Sequence, residues 1–123
     1  MAVPRLGLVQ SRIMSILWKR GQATAREITE RLNKESPIAH STVQTLLRKL
    51  ESKDAVRHKI EDRTFVFYPA ISPEKVARSA TRELIDRLFG GSPAGLVVYL
   101  LRRERISPAE LSHIRRLINE QED

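Results

Sequence analysis

The chain has 123 residues, of which 41% are hydrophobic and 30% charged, and its formal net charge is +7. This composition is typical of one globular domain, or of a small domain with an appendage. The absence of cysteine excludes disulfides, thiolate metal sites and cysteine nucleophiles. No apolar run approaches the roughly 18 residues of a membrane span, and the amino-terminal segment lacks the apolar core of a signal peptide. We therefore expect a cytoplasmic protein without membrane insertion.

The positive charge is concentrated in the first part of the chain. Residues 1–72 carry 13 Lys and Arg against 7 Asp and Glu, whereas residues 73–123 carry 9 against 8. This asymmetry indicates a module that binds a polyanion, followed by a unit with a different role. Charge alone is equally compatible with basic residues that only keep a small domain in solution. The order of the predicted elements has to separate the two interpretations.

Three helices are predicted in the basic part. The first runs from Val9 to Arg20, and Gly21 follows where a left-handed cap is expected. Thr24 to Glu27 form a capping box that opens a second helix, which residues 33–37 end. The third helix runs from His40 to Lys53, and its apolar positions fall at helical spacing. These positions are Val43, Leu46, Leu47 and Leu50.

A β-hairpin is predicted after the third helix. Val56–Lys59 and Thr64–Tyr68 are short segments rich in β-branched and aromatic residues, and Arg63 is expected to start the return strand. Three helices followed by a hairpin is the element order of a winged helix-turn-helix. The predicted fold class is therefore mainly α with a small β-hairpin, and residues 1–72 form its DNA-binding domain.

Three Ser-Pro pairs mark helix starts in residues 73–123. A serine N-cap followed by proline at the first helical position opens each predicted helix, over 73–89, 93–103 and 108–120. The run 96–101 is apolar on every side, which predicts a helix that is buried all round. Three short helices make a poor independent core, so we expect them to join two copies of the chain rather than fold back on the first domain. The predicted dimerisation residues are Val76, Ala80, Leu84, Leu88, Leu96, Val97, Leu100, Leu101, Leu111, Ile114, Leu117 and Ile118.

The third helix has a polar face that suits the major groove of double-stranded DNA. Arg48 points away from Val43 on a helical wheel, and no acidic residue occurs from 36 to 50. Gln44 can pair with adenine, and Arg48 with guanine or phosphate. The alternative is that this polar face is merely solvated. The position of the third helix, between a short second helix and a basic hairpin, favours the interpretation that the face binds DNA. The predicted contacts are His40, Ser41, Thr42, Gln44, Thr45, Arg48 and Lys49 on the helix, with Arg57, Lys59 and Arg63 on the hairpin.

The hairpin is expected to clamp the DNA backbone rather than enter a groove deeply, because Glu61 and Asp62 lie at its tip. Phe65, Phe67 and Tyr68 are expected to pack the hairpin onto the helices rather than to stack on single-stranded bases. Catalytic and metal sites are not predicted: the three histidines are isolated, and the sequence has neither a nucleophile elbow nor a glycine-rich phosphate loop. We therefore expect no enzyme activity and no cofactor.

Several short segments, spread in order along nearly the whole chain, together match the sequence pattern of a known family. They are Leu6-Gly7, Leu17-Trp18, Ser41 to Leu50, Phe65 to Pro69 and Leu88 to Ser92. Together they resemble the penicillinase repressor family of the BlaI, MecI and CopY type. The resemblance implies a winged-helix repressor that binds a dyad operator as a homodimer joined by its carboxy-terminal helices. It also implies control of β-lactam resistance or a related operon, in many members through a membrane sensor whose signal leads to proteolysis of the repressor.

Three departures from the family pattern affect these expectations. The copper-responsive branch binds metal through carboxy-terminal cysteines, so a chain without cysteine does not belong to it. The turn after the third helix usually has glycine, but here Lys53-Asp54 occupies it, and aspartate tolerates the left-handed conformation. The resemblance places the inducible cleavage bond at Tyr99-Leu100, where the Asn of the usual Asn-Phe pair is absent. Either the protease specificity differs or another signal operates.

Two further functional classes stay open from the sequence. Some winged helices act purely as protein-interaction modules. In that case retention on DNA would lack the steep dependence on salt that phosphate contacts produce. A regulator that responds to a small ligand, without proteolytic induction, is the other alternative. The sequence shows no polar pocket that would favour it.

Overall fold

The computed structural model describes residues 3–122 and confirms the mainly helical fold class. Its elements are α1 (Leu8–Arg20), β1 (Ala23–Thr24), α2 (Ala25–Asn33), α3 (His40–Ser52), β2 (Val56–Glu61), β3 (Thr64–Pro69), α4 (Pro73–Leu88), α5 (Pro93–Arg103) and α6 (Pro108–Glu122). Across residues 3–122, no single helix has the length and apolar character to cross a membrane; only α4 and α5 taken together, bent by 87°, meet that test.

The three amino-terminal helices bury one apolar face each in a common core. The fully buried side chains include Ile13, Met14 and Leu17 of α1, Ile28 of α2, and Val43, Leu47 and Leu50 of α3. Burying an aliphatic side chain of this size contributes about 1.5–3 kcal/mol, so these faces dominate the stability of the helical part. The predicted apolar face of α3 is confirmed, although Leu46 at its edge is only partly buried.

The predicted capping box at the start of α2 is present. The Thr24 hydroxyl accepts the Glu27 N–H (3.2 Å), and Glu27 Oε1 accepts the Thr24 N–H (2.9 Å). Arg20, the last residue of α1, donates to Glu27 Oε2 at 2.6 Å. The backbone hydrogen bond from Thr24 holds the pKa of Glu27 below its ordinary value of 4.5. Burial acts in the opposite direction, and the Thr24 side chain and Arg20 each lower the pKa by smaller amounts. One carboxylate thus caps α2 and ties it to α1.

The turn between α2 and α3 is closed by Asn33. Its Nδ2 donates to the carbonyl oxygens of Thr29 (2.8 Å) and Ile38 (3.0 Å), and its Oδ1 accepts the Ile38 N–H (3.0 Å). From the sequence, Asn33 is predicted only to begin the break after the second helix. In the structure this side chain fixes the segment that leads into α3.

The strands form a three-stranded antiparallel sheet in the order β1-β3-β2. Strand β1, which is not predicted from the sequence, pairs its two residues with Val66 and Phe67 of β3. In the hairpin, Asp62 and Arg63 form a two-residue turn with φ of 49° and 66°. The prediction that Arg63 starts the return strand is wrong: it lies in the turn, because two residues at positive φ match the twist of the flanking strands.

The left-handed turn predicted after α3 is confirmed, since Asp54 has φ of 62°. Its N–H and that of Ala55 donate to the carbonyl oxygens of Glu51 and Leu50, at 3.0 and 2.9 Å. The chain therefore leaves α3 through a hydrogen-bonded turn without glycine and enters β2 directly.

The chain divides into two compact units, one ending at Ala80 and the other beginning at Thr81, within α4. The functional boundary between residues 72 and 73 stays a prediction. The three predicted serine caps are confirmed: Ser72, Ser92 and Ser107 accept backbone N–H bonds from residues three positions later, at 3.2, 3.0 and 3.2 Å.

The expectation that α5 is buried all round is wrong for a single chain. The side chains from Val97 to Leu101 are each 40–50% exposed, and within the described part of α4, α5 and α6 only Ile85 is buried. Tyr99 packs on Phe89 with ring centroids 5.6 Å apart. A unit of this size has too little apolar surface to enclose a helix that is apolar on every side.

We predict that Thr24→Ala lowers the free energy of unfolding by about 1 kcal/mol, because it removes the side-chain half of the capping box. Chemical denaturation followed by circular dichroism measures this change. Thr42→Ala is the matched control, because Thr42 is exposed on α3 and caps no helix. A loss of stability as large in the control would show that the effect is not due to capping.

We also predict a pH dependence from Glu27. Because its pKa is lowered in the folded state, its charged form stabilises the fold above pH 4.5, and this contribution is lost as the pH falls through the folded-state pKa. The stability of the wild type relative to Glu27→Gln should therefore be greatest near neutral pH and shrink in acid. Glu30→Gln, on the same helix, should not reproduce this pattern. A difference that stays constant with pH would contradict the assignment.

Candidate nucleic-acid interface

The polar face of α3 is available to a ligand. Burial of Val43, Leu47 and Leu50 turns the opposite side of the helix to solvent, and Gln44 and Arg48 are exposed there. All ten predicted DNA contacts are exposed, including the three on the hairpin. The structure thus leaves every one of these side chains accessible.

A groove of about 630 Å³ runs between the start of α2, α3 and the tip of the hairpin. It brings together four of the predicted contacts, His40, Gln44, Arg48 and Arg63. Its other lining residues are Thr24, Ala25, Arg26, Thr64, Phe65 and Phe67. Three arginines and no carboxylate line it, so the groove suits a phosphate strand.

Arg26 is the groove residue that the sequence analysis missed. It lies in the first turn of α2, two residues after the cap Thr24. A cation in the first turn of a helix opposes the helix dipole, where an acidic residue would be favoured. That unfavourable placement is the signal in the sequence that would have pointed to a role in binding.

The hairpin presents its other basic residues on the opposite face of the sheet. Arg57 pairs across the strands with Tyr68 and Lys59 with Val66, whereas His58 pairs with Phe67. The predicted alternation of Arg57 and Lys59 with His58 is confirmed, and neither basic residue lines the groove. Lys59 Nζ lies 3.1 Å from Glu61 Oε1, so part of its charge is neutralised within the hairpin.

A hydrogen bond attaches the hairpin to the end of α3, and an aromatic stack within the hairpin packs on the same histidine. His58 Nδ1 lies 2.6 and 2.9 Å from the two carboxylate oxygens of Glu51. The Phe65 ring stacks on His58 with centroids 4.0 Å apart and planes 8° from parallel. The contact between His58 and Glu51 ties the hairpin to the last turn of α3, beside the exposed polar face of that helix.

The expectation that the aromatic residues pack the hairpin onto the helices is confirmed for Phe67, which is 6% exposed and part of the core. It is wrong for Phe65, which is 47% exposed and lines the groove. Phe65 lies opposite Ile60 near the turn, and Ile60 is also exposed, because this end of the hairpin extends beyond the helical core.

No group of three or more His, Asp or Glu side chains that could hold a metal ion occurs within residues 3–122. The groove is lined instead by the guanidinium groups of three arginines, the amide of Gln44 and the apolar ring of Phe65 at its rim. A helix with an exposed polar face beside a basic hairpin defines a winged-helix DNA-binding protein.

Comparisons with known proteins agree with this class. Residues 6–120 match the family described as Penicillinase repressor. The Penicillinase repressor of Bacillus licheniformis is 25% identical over 118 residues, covering 96% of this chain and 92% of that protein. Methicillin resistance regulatory protein MecI of Staphylococcus aureus (strain N315) is 22% identical over 107 residues, covering 87% of each chain. The chain therefore belongs to the penicillinase repressor family of DNA-binding transcriptional repressors.

Solved structures give the same result. The DNA-binding domain of the repressor BlaI has a TM-score of 0.54 at 30% identity and covers 58% of this chain and 88% of that one. The Bacillus licheniformis BlaI monomeric form, in complex with the blaP half-operator, has a TM-score of 0.52 at 30% identity, covering 59% and 89%. The YusO protein of Bacillus subtilis, at 16% identity and a TM-score of 0.54, shares the fold over 94% of this chain and 74% of its own.

We predict that Arg48→Ala weakens binding to a site selected from random duplexes by about 1–3 kcal/mol and relaxes the preference at one position of each half-site. Arg48 is expected to contact a base edge from the exposed face of α3. Fluorescence anisotropy with the selected site and a scrambled duplex measures both effects. Arg31→Ala removes an equal charge outside the groove and is the matched control. Equal losses on both duplexes would reassign Arg48 to a phosphate contact.

Proposed function

We propose that this repressor binds a dyad operator as a homodimer and controls β-lactam resistance or a related stress operon. The observation that carries the proposal is the pairing of a basic groove on one unit with unpartnered apolar helices on the other. The groove supports contact with one half-site, and a second copy supplies the second half-site. The role needs no catalytic activity and places the protein in the cytoplasm, where its operator is.

The homodimer is supported by the apolar surface that α4, α5 and α6 leave uncovered. Leu88 is 61% exposed, and Leu117 and Ile118 are 44% and 46% exposed. The run Val97–Leu101 is exposed as well, so these helices leave many large apolar side chains uncovered in a single chain. A second copy is the simplest partner, since a two-fold axis places the same patch on both sides. We assign the twelve predicted dimerisation residues to this interface.

Release from the operator is proposed to follow loss of the dimer. The Tyr99-Leu100 bond, which the family resemblance marks for cleavage, lies in the middle of α5. A helical backbone has to open locally before a protease can cut it. Cleavage there, by a membrane sensor protease system as in relatives, would remove the central helix of the interface. The two half-site contacts would then act separately and weakly.

We predict that Leu101→Glu, in the full chain, converts the dimer to a monomer and lowers operator affinity by at least about tenfold, because linked half-site contacts no longer act together. Sedimentation velocity and anisotropy on the selected operator measure the two effects. Leu8→Glu makes the same change at a leucine that is 71% exposed on the other unit, and should leave both unchanged. A Leu101→Glu protein that stays dimeric would place the interface elsewhere.

A further inference from the structure

The hydrogen bonds of Thr29 determine which nitrogen of His40 carries a proton. Thr29 is buried, and its hydroxyl lies 2.7 Å from the carbonyl oxygen of Ala25 and 3.0 Å from His40 Nδ1. The carbonyl can only accept, so the single hydroxyl hydrogen lies on the bond to Ala25. Thr29 Oγ1 must then accept the second bond. The hydrogen of that bond belongs to His40 Nδ1.

This arrangement leaves His40 Nε2 as the free atom of the ring. Nε2 lies on the side of the imidazole away from Nδ1, and among residues 3–122 it has no hydrogen-bond partner. His40 is exposed and lines the groove. A neutral imidazole with its proton on Nδ1 presents only a lone pair at Nε2, which repels a phosphate oxygen. Only the imidazolium presents an N–H there.

The charges around His40 come from three elements and are all positive. Arg26 faces the groove from α2, Arg48 from α3 and Arg63 from the hairpin turn, and no carboxylate lines it. The nearest acid of the α2 cap, Glu27, is engaged with Thr24 and Arg20. The groove of the free protein therefore offers no counter-charge to an imidazolium. A bound phosphate would be the first negative charge in the groove to face the imidazolium.

We propose that His40 is a phosphate-contacting residue that takes up a proton from solvent at Nε2 when DNA fills the groove, with Thr29 as its positioning residue. The proposal rests on DNA binding by this groove. It couples DNA affinity to pH, with one proton taken up per protomer. Binding strengthens as the pH falls through the range in which histidine titrates, between pH 5 and 8.

The test is the affinity of the full chain for a duplex of about 30 base pairs of arbitrary sequence at constant salt, since phosphate contacts do not depend on sequence. Between about pH 6 and pH 8 the affinity should fall by about tenfold or more, and His40→Gln should abolish that dependence. His113→Gln, at a histidine on α6, should retain it. A pH dependence that persists in His40→Gln would overturn the proposal.

Thr29→Val provides the second variant, because it keeps the side-chain shape and removes the acceptor at His40 Nδ1. The neutral ring can then carry its proton on Nε2 and donate to phosphate without charging. The protein should still bind DNA, with a clearly weaker pH dependence. An unchanged pH profile would show that Thr29 does not position the ring. Absence of DNA binding by the wild-type protein at every pH would instead overturn the groove as a DNA site, and the proposal for His40 with it.

Discussion

The burial of Val43, Leu47 and Leu50 against α1 and α2 determines where every polar side chain of α3 points. These three residues occupy one stripe of the helix, so the remaining surface, free of acidic residues until Glu51, has to face solvent. The exposed polar face of α3 is therefore a consequence of packing. A side chain that disturbed the stripe would rotate the helix and displace the exposed polar side chains together.

The hairpin depends on the same helix from its other end. Glu51, in the last turn of α3, binds His58 of β2, and Asp54 turns the chain directly into the strand. Within the hairpin, Phe65 of β3 stacks on His58. The hairpin, which forms one wall of the groove, is thus tied to α3 by the hydrogen bond between His58 and Glu51.

The sequence predicted features that are local and repeated along the chain. The helices, their serine caps and the capping box of α2 follow from spacing and from residue type within a few positions. The strand β1 was missed because two residues carry no periodic pattern and owe their conformation to pairing with β3, more than forty positions away. Arg26 was missed because its role depends on the groove that the hairpin completes.

The exposure of α5 shows a different limit of the sequence. A run that is apolar on every side indicates burial, but it does not say whether the covering surface comes from the same chain. In Leu96–Leu101 the pattern predicted the helix, but the predicted burial on every side is not reached within a single chain. Phe65 is the converse case, an aromatic residue that looked like core and instead forms the rim of the groove.

The hairpin turn has a consequence for how this protein can vary. Asp62 and Arg63 both adopt positive φ, a conformation that costs an ordinary L-residue about 1–2 kcal/mol and glycine much less. An Asn-Gly turn would make the hairpin easier to form, yet it would remove the cation that the turn carries to the groove. The positive φ angles of the turn thus cost some free energy of folding, while the turn places Arg63 in the lining of the groove. Any variant that gains stability by relaxing this turn would do so at the expense of one wall of the binding surface.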